Sequence, residues 1–278
     1  MGSSTGEIEE ATKEYPAGGN VFKLEWPQHK VAISKPFAVG RTHITRGEFA
    51  TFVKATGRTT GDDCSSPYGM WDDKESKFFG SWRSPGFEQT DRHPAVCVNW
   101  YDANAYVDWL NKVTGQSYRL LSEAETEYVT RATASAMPQP KFFFGNDMKD
   151  LCAYANGADR TAATLFRDSQ FLAPCDDGYL YTAPAASFKA NAWGLYDVHG
   201  NAWIWTADSW NDSHEGAPSD GTPRTIGNSE LEKNLGPMRV VRGGAFNIHP
   251  QLLRAAYRNG FLAGVRYFNL GFRVARTL

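Results

Sequence analysis

Asn191-Ala192-Trp193-Gly194-Leu195-Tyr196-Asp197-Val198-His199-Gly200-Asn201-Ala202-Trp203 is the stretch on which the fold is read. It reads as an ordered loop running into a short strand at Trp203–Thr206. Further short strands are expected at Tyr179–Thr182, Arg239–Arg242 and Leu270–Ala275. Between them, residues 211–237 are polar and carry Gly, Pro, Ser and Asn, so they form a surface excursion. Within the quoted stretch, His199 beside Gly200-Asn201 reads as a loop-packing residue and Trp203 as core. Tyr196, with Trp205 just beyond, is a candidate to line a groove for an aromatic or peptidic ligand.

Upstream, the pattern turns helical. Thr45 and Glu48 form a capping box, Ile44 can staple onto Phe49, and Gly57 closes the helix. A second helix is expected near Asn99–Val113, with Ala103, Tyr106, Trp109, Leu110 and Val113 on one face and Gly115 as its stop. A third starts at Ser122, with Glu125 as capping partner. Glu123 and Glu127 then form a solvated or salt-bridged face. Val31–Val39 suits a strand, and residues 58–94 read as a long loop. Residues 1–20 are polar and rich in Gly, Ser and Glu, which suits a flexible N-terminal arm. No repeat or linker divides the rest. Residues 21–278 are therefore one α+β domain with little regular secondary structure, in which long ordered loops carry the site.

The 278 residues include 9 Trp, 12 Tyr and 17 Phe, ample for a core. Net charge is −2, without a basic footprint, so nucleic acid is not an expected partner. No run of about 20 apolar residues predicts a membrane span. No secretory signal is legible at the start of the sequence. Four cysteines, Cys64, Cys97, Cys152 and Cys175, lack zinc-type spacing. Cys64 and Cys175 sit in polar turns, which favours two disulfides in an oxidising compartment over four buried thiols. The sequence does not fix their pairing; Cys64–Cys97 with Cys152–Cys175 is the working guess.

Five ordered motifs carry a family likeness: Tyr118 to Tyr128 (YRLLSEAETEY), Phe144-Gly145-Asn146, the quoted stretch, Arg242-Gly243-Gly244-Ala245-Phe246, and Leu270-Gly271-Phe272-Arg273-Val274. Their succession resembles the formylglycine-generating-enzyme (sulfatase-modifying-factor) family. The resemblance implies a C-type-lectin-related fold and covers the chain from the first capped helix to the end. In that family's oxidases, two cysteines follow a Gly-Gly-Ser turn and bind copper. Ile248 and Leu253 stand at those positions here, and Ala245 replaces the serine. Thiolates select Cu(I), and Ile and Leu cannot replace them. Neither copper nor formylglycine formation is therefore expected. A histidine-derivative sulfoxide branch of the family needs clustered histidine ligands; the six histidines here are scattered.

A third branch comprises exported paralogues without the cysteines, one of which acts in maturation of the siderophore pyoverdine. That resemblance implies a periplasmic or otherwise exported oxidoreductase, or its essential helper, whose signal peptide is not part of this sequence. Its partner would be a peptide or secondary-metabolite precursor. No dinucleotide or phosphate loop is present, so the sequence names no redox cofactor; dioxygen or a partner oxidase would have to accept the electrons. The alternative is a non-catalytic, calcium-stabilised binding module.

The candidate site follows from the segment equivalent to the family's active centre. His249, Tyr257, Arg254 and Arg258 could bind an anionic or phenolic ligand and move protons. Asn247 lies beside them, and Asn269 matches a family pocket residue. The competing reading of the two arginines is that they tie loops to buried acids. The resemblance also implies a structural calcium held by Asn156, Gly157, Asp177 and Tyr179, an oxygen-rich set suited to a hard cation. A second family calcium site loses its glutamate to Ile204, although Asp197 adds a charge there.

Overall fold

The structure, a computed structural model, describes residues 1–72, 77–132, 139–164 and 172–278. It begins with a helix where the sequence suggested a flexible arm. Helix α1 (Thr5–Glu14) starts from a capping box between Ser4 and Glu7 and buries Ile8 and Ala11. A 3-10 stretch (Pro16–Glu25) follows and buries Phe22 and Glu25. The composition of residues 1–20 is polar because only one face of α1 meets the protein. That face joins the main apolar cluster.

Strand β1 is only Phe37–Val39, shorter than the expected Val31–Val39. Helix α2 (Arg46–Thr56) has the Thr45/Glu48 capping box and ends at Gly57, in the left-handed region. The expected loop 58–94 contains an antiparallel pair instead, β2 (Cys64–Asp72) and β3 (Lys77–Gly80); positions 73–76 lie outside the described residues. Helix α3 (Trp100–Thr114) starts from Asn99 and ends at Gly115. Strand β4 (Tyr118–Leu120) leads into α4 (Glu123–Arg131), capped by Ser122 and Glu125. A single turn of helix, α5 (Leu151–Tyr154), follows. No strand forms at Tyr179–Thr182. There the main chain serves side chains: Asn156 Nδ2 donates to the Tyr181 carbonyl at 2.8 Å.

The later strands are β5 (Trp203–Ser209), β6 (Met238–Arg242), β7 (Arg258–Leu262), β8 (Leu270–Phe272) and β9 (Val274–Thr277). One further helix, α6 (Glu230–Leu235), lies within the polar 211–237 excursion. Four strands form a sheet in the order β7-β6-β5-β8, with β5 and β8 parallel. Three form a second sheet, β1-β9-β4. The expected strand Leu270–Ala275 thus splits between two sheets at Arg273. Its buried guanidinium donates to the carbonyls of Gly40 and Tyr196 and fixes the crossing.

Two disulfides, Cys64–Cys97 and Cys152–Cys175, match the guessed pairing. The main core joins Phe49 and Phe52 of α2 to Tyr106 of α3 and Phe272 of β8, with ring centroids 5.3–6.3 Å apart. Burying a phenylalanine of this kind is worth roughly 1.5–3 kcal/mol. Among the described residues, no helix is long and apolar enough to cross a membrane.

Candidate functional site

The segment Gly243–Arg258 is shaped by glycines and anchored by the quoted loop. Gly244 has φ +75°, and a Cβ there would come within 2.2 Å of Leu253. Gly200 has φ +73° and lies so close to the Asn156 carbonyl that a Cβ would sit 1.9 Å from its oxygen. Only glycine fits either place. The buried ring of His199 joins the two segments. Its Nε2 accepts from the Phe143 N–H at 3.2 Å, which leaves Nδ1–H to donate to the Leu253 carbonyl at 2.7 Å. Burial pushes this imidazole down to about 4, so it stays neutral. His199 packs a loop, as expected.

At the two positions of the family's cysteines the structure places hydrocarbon. Leu253 is fully buried among Phe142, Leu151, Ala155 and Ala173. Ile248 is partly buried and touches both this cluster and the main core. No thiolate chemistry is possible at either point.

His249 caps the short 3-10 turn Pro250–Leu253, its Nδ1 accepting from the Gln251 N–H at 3.1 Å. Burial pushes its imidazole down to about 4. With Nδ1 accepting, the neutral ring carries its hydrogen on Nε2, and it can take a proton only at Nδ1 by releasing the Gln251 N–H. Asn247 and Asn269 meet, the Asn269 amide donating to Asn247 Oδ1 at 2.9 Å. Tyr257 is buried between Phe22 and Trp203, and burial together with the Glu25 charge raises its phenol above the ordinary range. It stays protonated and can donate but not act as a phenolate.

The arginines are structural anchors. Arg254 is 4% exposed, binds Glu25 and lies over the Phe22 ring. Arg258 is 2% exposed. It grips both carboxylate oxygens of Glu123 at 2.6 and 2.9 Å and donates to the carbonyls of Leu24 and Asn211. Of the two sequence readings, loop-tying to buried acids is what the geometry gives. Trp205 is likewise no groove residue. It is fully buried, with its indole N–H donating to the Val98 carbonyl at 3.0 Å. Tyr196 sits apart from the 245–258 segment, under the Arg41 guanidinium. Its main-chain N–H donates to the Arg41 carbonyl.

The candidate calcium residues do converge. Gly157 N–H donates to Asp177 Oδ2 at 3.3 Å and Tyr179 N–H to Oδ1 at 2.8 Å. Asn156 is fully buried, and its Oδ1 has no hydrogen-bond partner. Burial and the neighbouring charges of Asp159 and Asp176 push Asp177 up to about 7. An orphaned amide oxygen with carboxylates that have no ion-pair partner among the described residues is a donor set that fits a hard ion. Among the described residues, no group of three or more His, Cys, Asp or Glu side chains forms a metal centre. A bound ion would thus draw on amide and main-chain oxygens as well as acids. At the lost second site, Asp197 is buried and raised by that burial, and its Oδ1 also lacks a partner. Ile204 is buried nearby in β5 and offers no oxygen.

Two contributors escaped the sequence reading. Glu25, from the 3-10 stretch, is fully buried and receives Arg254 and the Ser3 hydroxyl. Tyr15 stacks on His249, ring centroids 3.8 Å apart and planes 12° from parallel. The only available signal was the short apolar pattern Tyr15, Val21, Phe22, Leu24 in an otherwise polar segment.

The comparisons agree with this geometry. Residues 4–278 match the sulfatase-modifying factor enzyme 1-like domain. The formylglycine-generating enzyme of Streptomyces coelicolor is 28% identical over 99% of this chain and 85% of its own length. That of Thermomonospora curvata is 30% identical over 81% of this chain and 75% of its own. The solved structure of PvdO from Pseudomonas aeruginosa superposes with a TM-score of 0.74 at 35% identity, covering 92% of this chain and 85% of that one. With its glycine-shaped segment, its His199 anchor and its matched length, the chain belongs to the formylglycine-generating-enzyme (sulfatase-modifying factor) family.

Proposed function

We propose that this protein is an exported maturation protein of the formylglycine-generating-enzyme fold, acting as an oxidoreductase on the chromophore precursor of a pyoverdine-type siderophore. The observation that carries the reading is the pairing of two facts. The chain resembles PvdO over nearly its whole length, and both cysteine positions are filled by packed hydrocarbon, Ile248 and Leu253. The reaction would remove two electrons and two protons from the precursor. His249, neutral at physiological pH, would take one proton of an activated phenol or amine at Nδ1, releasing the Gln251 N–H that this nitrogen holds, and Asn247 with Asn269 would orient the polar edge of the substrate. The two electrons and, with the proton relayed through His249, both protons would pass to dioxygen, giving hydrogen peroxide, or to a partner oxidase. The two disulfides support an oxidising compartment such as the periplasm. The calcium reading goes with this function: Asn156, Gly157, Asp177 and Tyr179 would hold one structural ion that neutralises their acids.

The test is conversion of a reduced pyoverdine precursor by purified wild type and His249→Ala, followed by absorbance of the oxidised chromophore. Loss of product in the variant supports the reading. Equal turnover would make His249 structural. The second reading is a calcium-stabilised binding module. It is favoured by Arg254, Arg258 and Trp205, which all serve the fold and leave few groups for chemistry. Precursor binding without turnover, even with oxygen present, would select it.

A further inference from the structure

We propose that Tyr15 is a positioning residue for His249, and that the segment Ser3–Glu25 is a built part of the site. The inference rests on the functional reading above only in making His249 the group positioned. Tyr15 is the C-cap of α1, and its ring lies flat on the imidazole, 3.8 Å between centroids. A stacked ring covers one face of the imidazole, restricts its rotation and keeps water from that side.

The contact is braced on both sides along the chain. Before Tyr15, Glu14 accepts from Gln251, two residues after His249, and from Lys141 at 2.6 and 2.7 Å. Lys141 also reaches Glu10 at 3.0 Å. After it, the Phe22 ring is 6.5 Å from Tyr15 and supports Arg254, which binds Glu25. Among the described residues, the charged and titratable groups on the elements that brace this contact include Glu14, Lys141, Glu25, Arg254 and the phenols of Tyr15 and Tyr257. In each ion pair the charges offset one another. That agrees with burial as the cause that holds His249 neutral. Gly18 makes the approach possible, since a Cβ there would come within 2.7 Å of the Tyr15 ring.

The experiment is an NMR titration of the histidine ring signals in the full-length protein, with His249→Asn used for assignment. In the wild type and in Tyr15→Phe the His249 midpoint stays near 4. In Tyr15→Ala it rises toward the ordinary imidazole value of about 6.5. A base with that midpoint is only about one-tenth neutral at pH 5.5. Precursor oxidation by Tyr15→Ala should then fall roughly tenfold at pH 5.5 relative to pH 8, while Tyr15→Phe keeps the wild-type profile. Should Tyr15→Ala fail to fold, Tyr15→Ser tests the same point, because it too uncovers the imidazole face to water. An unchanged midpoint in the folded variant overturns the proposal, even if His249→Ala abolishes turnover. A shifted midpoint with turnover insensitive to His249 keeps Tyr15 as the residue that holds the ring and removes the functional reading instead.

Discussion

Two groups of buried carboxylates in this molecule meet the same electrostatic problem in opposite ways. On α4, Glu123 and Glu127 are buried and paired. Arg258 and Arg242 reach them at 2.6 Å each, and Arg131 adds a contact to Glu127 at 3.0 Å. Burial alone would raise both acids; the cations around them more than offset it and hold both well below the usual carboxylate range. In the loop around residue 177, Asp159, Asp176 and Asp177 stand together, and Asp177 is pushed up to about 7. Its two oxygens accept main-chain N–H groups, and among the described residues no ion pair reaches it. Asp208, near Glu123, makes the same point on the first side. It lacks a guanidinium in ion-pair range among the described residues, and burial followed by the Glu123 charge pushes it up. Guanidinium groups offset the charge of the first region; around Asp177 no ion pair forms among the described residues, and its carboxyl is pushed up instead.

The largest test breaks the first region. Arg242→Leu removes one of the two guanidinium partners of the buried Glu127, leaving Arg131, and strips donors from the carbonyls of Ala255, Ala256 and Tyr257. Urea unfolding should show a loss of about 3–5 kcal/mol. A loss below about 1 kcal/mol would mean that the pair is not desolvated in solution.

Next comes calcium. After chelation, adding calcium at a hundred times its dissociation constant should stabilise the wild type by about 2.7 kcal/mol, seen as a higher Tm at pH 7.5. Asp177→Asn should lose most of that gain, and no calcium dependence in the wild type would refute the site.

The two regions should also titrate with opposite sign in chelated protein. Glu127 has a lowered folded pKa, so its contribution is present above the unfolded value of about 4.3 and lost as the pH falls. Asp177 has a raised one. Its contribution is full below the unfolded value of about 3.9 and is lost as the pH rises through about 7. Stability should therefore fall between pH 5 and pH 8 without calcium, and Asp177→Asn should flatten that limb.

The smallest effect belongs to an exposed charge. Asp63, 59% exposed at its side chain, meets Arg266 at 2.9 Å, while Arg266 also holds the buried Asp102. Asp63→Asn should change stability by under about 0.5 kcal/mol, which calibrates the scale against Arg242→Leu.

How much was legible follows the range of the forces involved. A capping box spans three residues, so Thr45/Glu48 and Ser122/Glu125 could be placed from the sequence, and the structure contains both. The left-handed stops at Gly57 and Gly115 are equally local. The family motifs carried the fold class, and the replacement of both cysteines by Ile248 and Leu253 was visible letter by letter. Partner choice was not visible. Arg242 finds Glu127 across 115 positions, Arg258 finds Glu123 across 135, and Arg254 finds Glu25 across 229. Nothing local distinguishes an arginine that will bind a ligand from one that will bind a distant acid. Sequence alone determined the three capped helices α2, α3 and α4, the glycine stops that end α2 and α3, and the loss of the thiol centre, because each rests on neighbours along the chain. The tertiary structure alone decided that the polar first 25 residues bear on His249, that Trp205 is core, and which carboxylates have a cation, because burial and charge pairing depend on what the rest of the fold brings alongside.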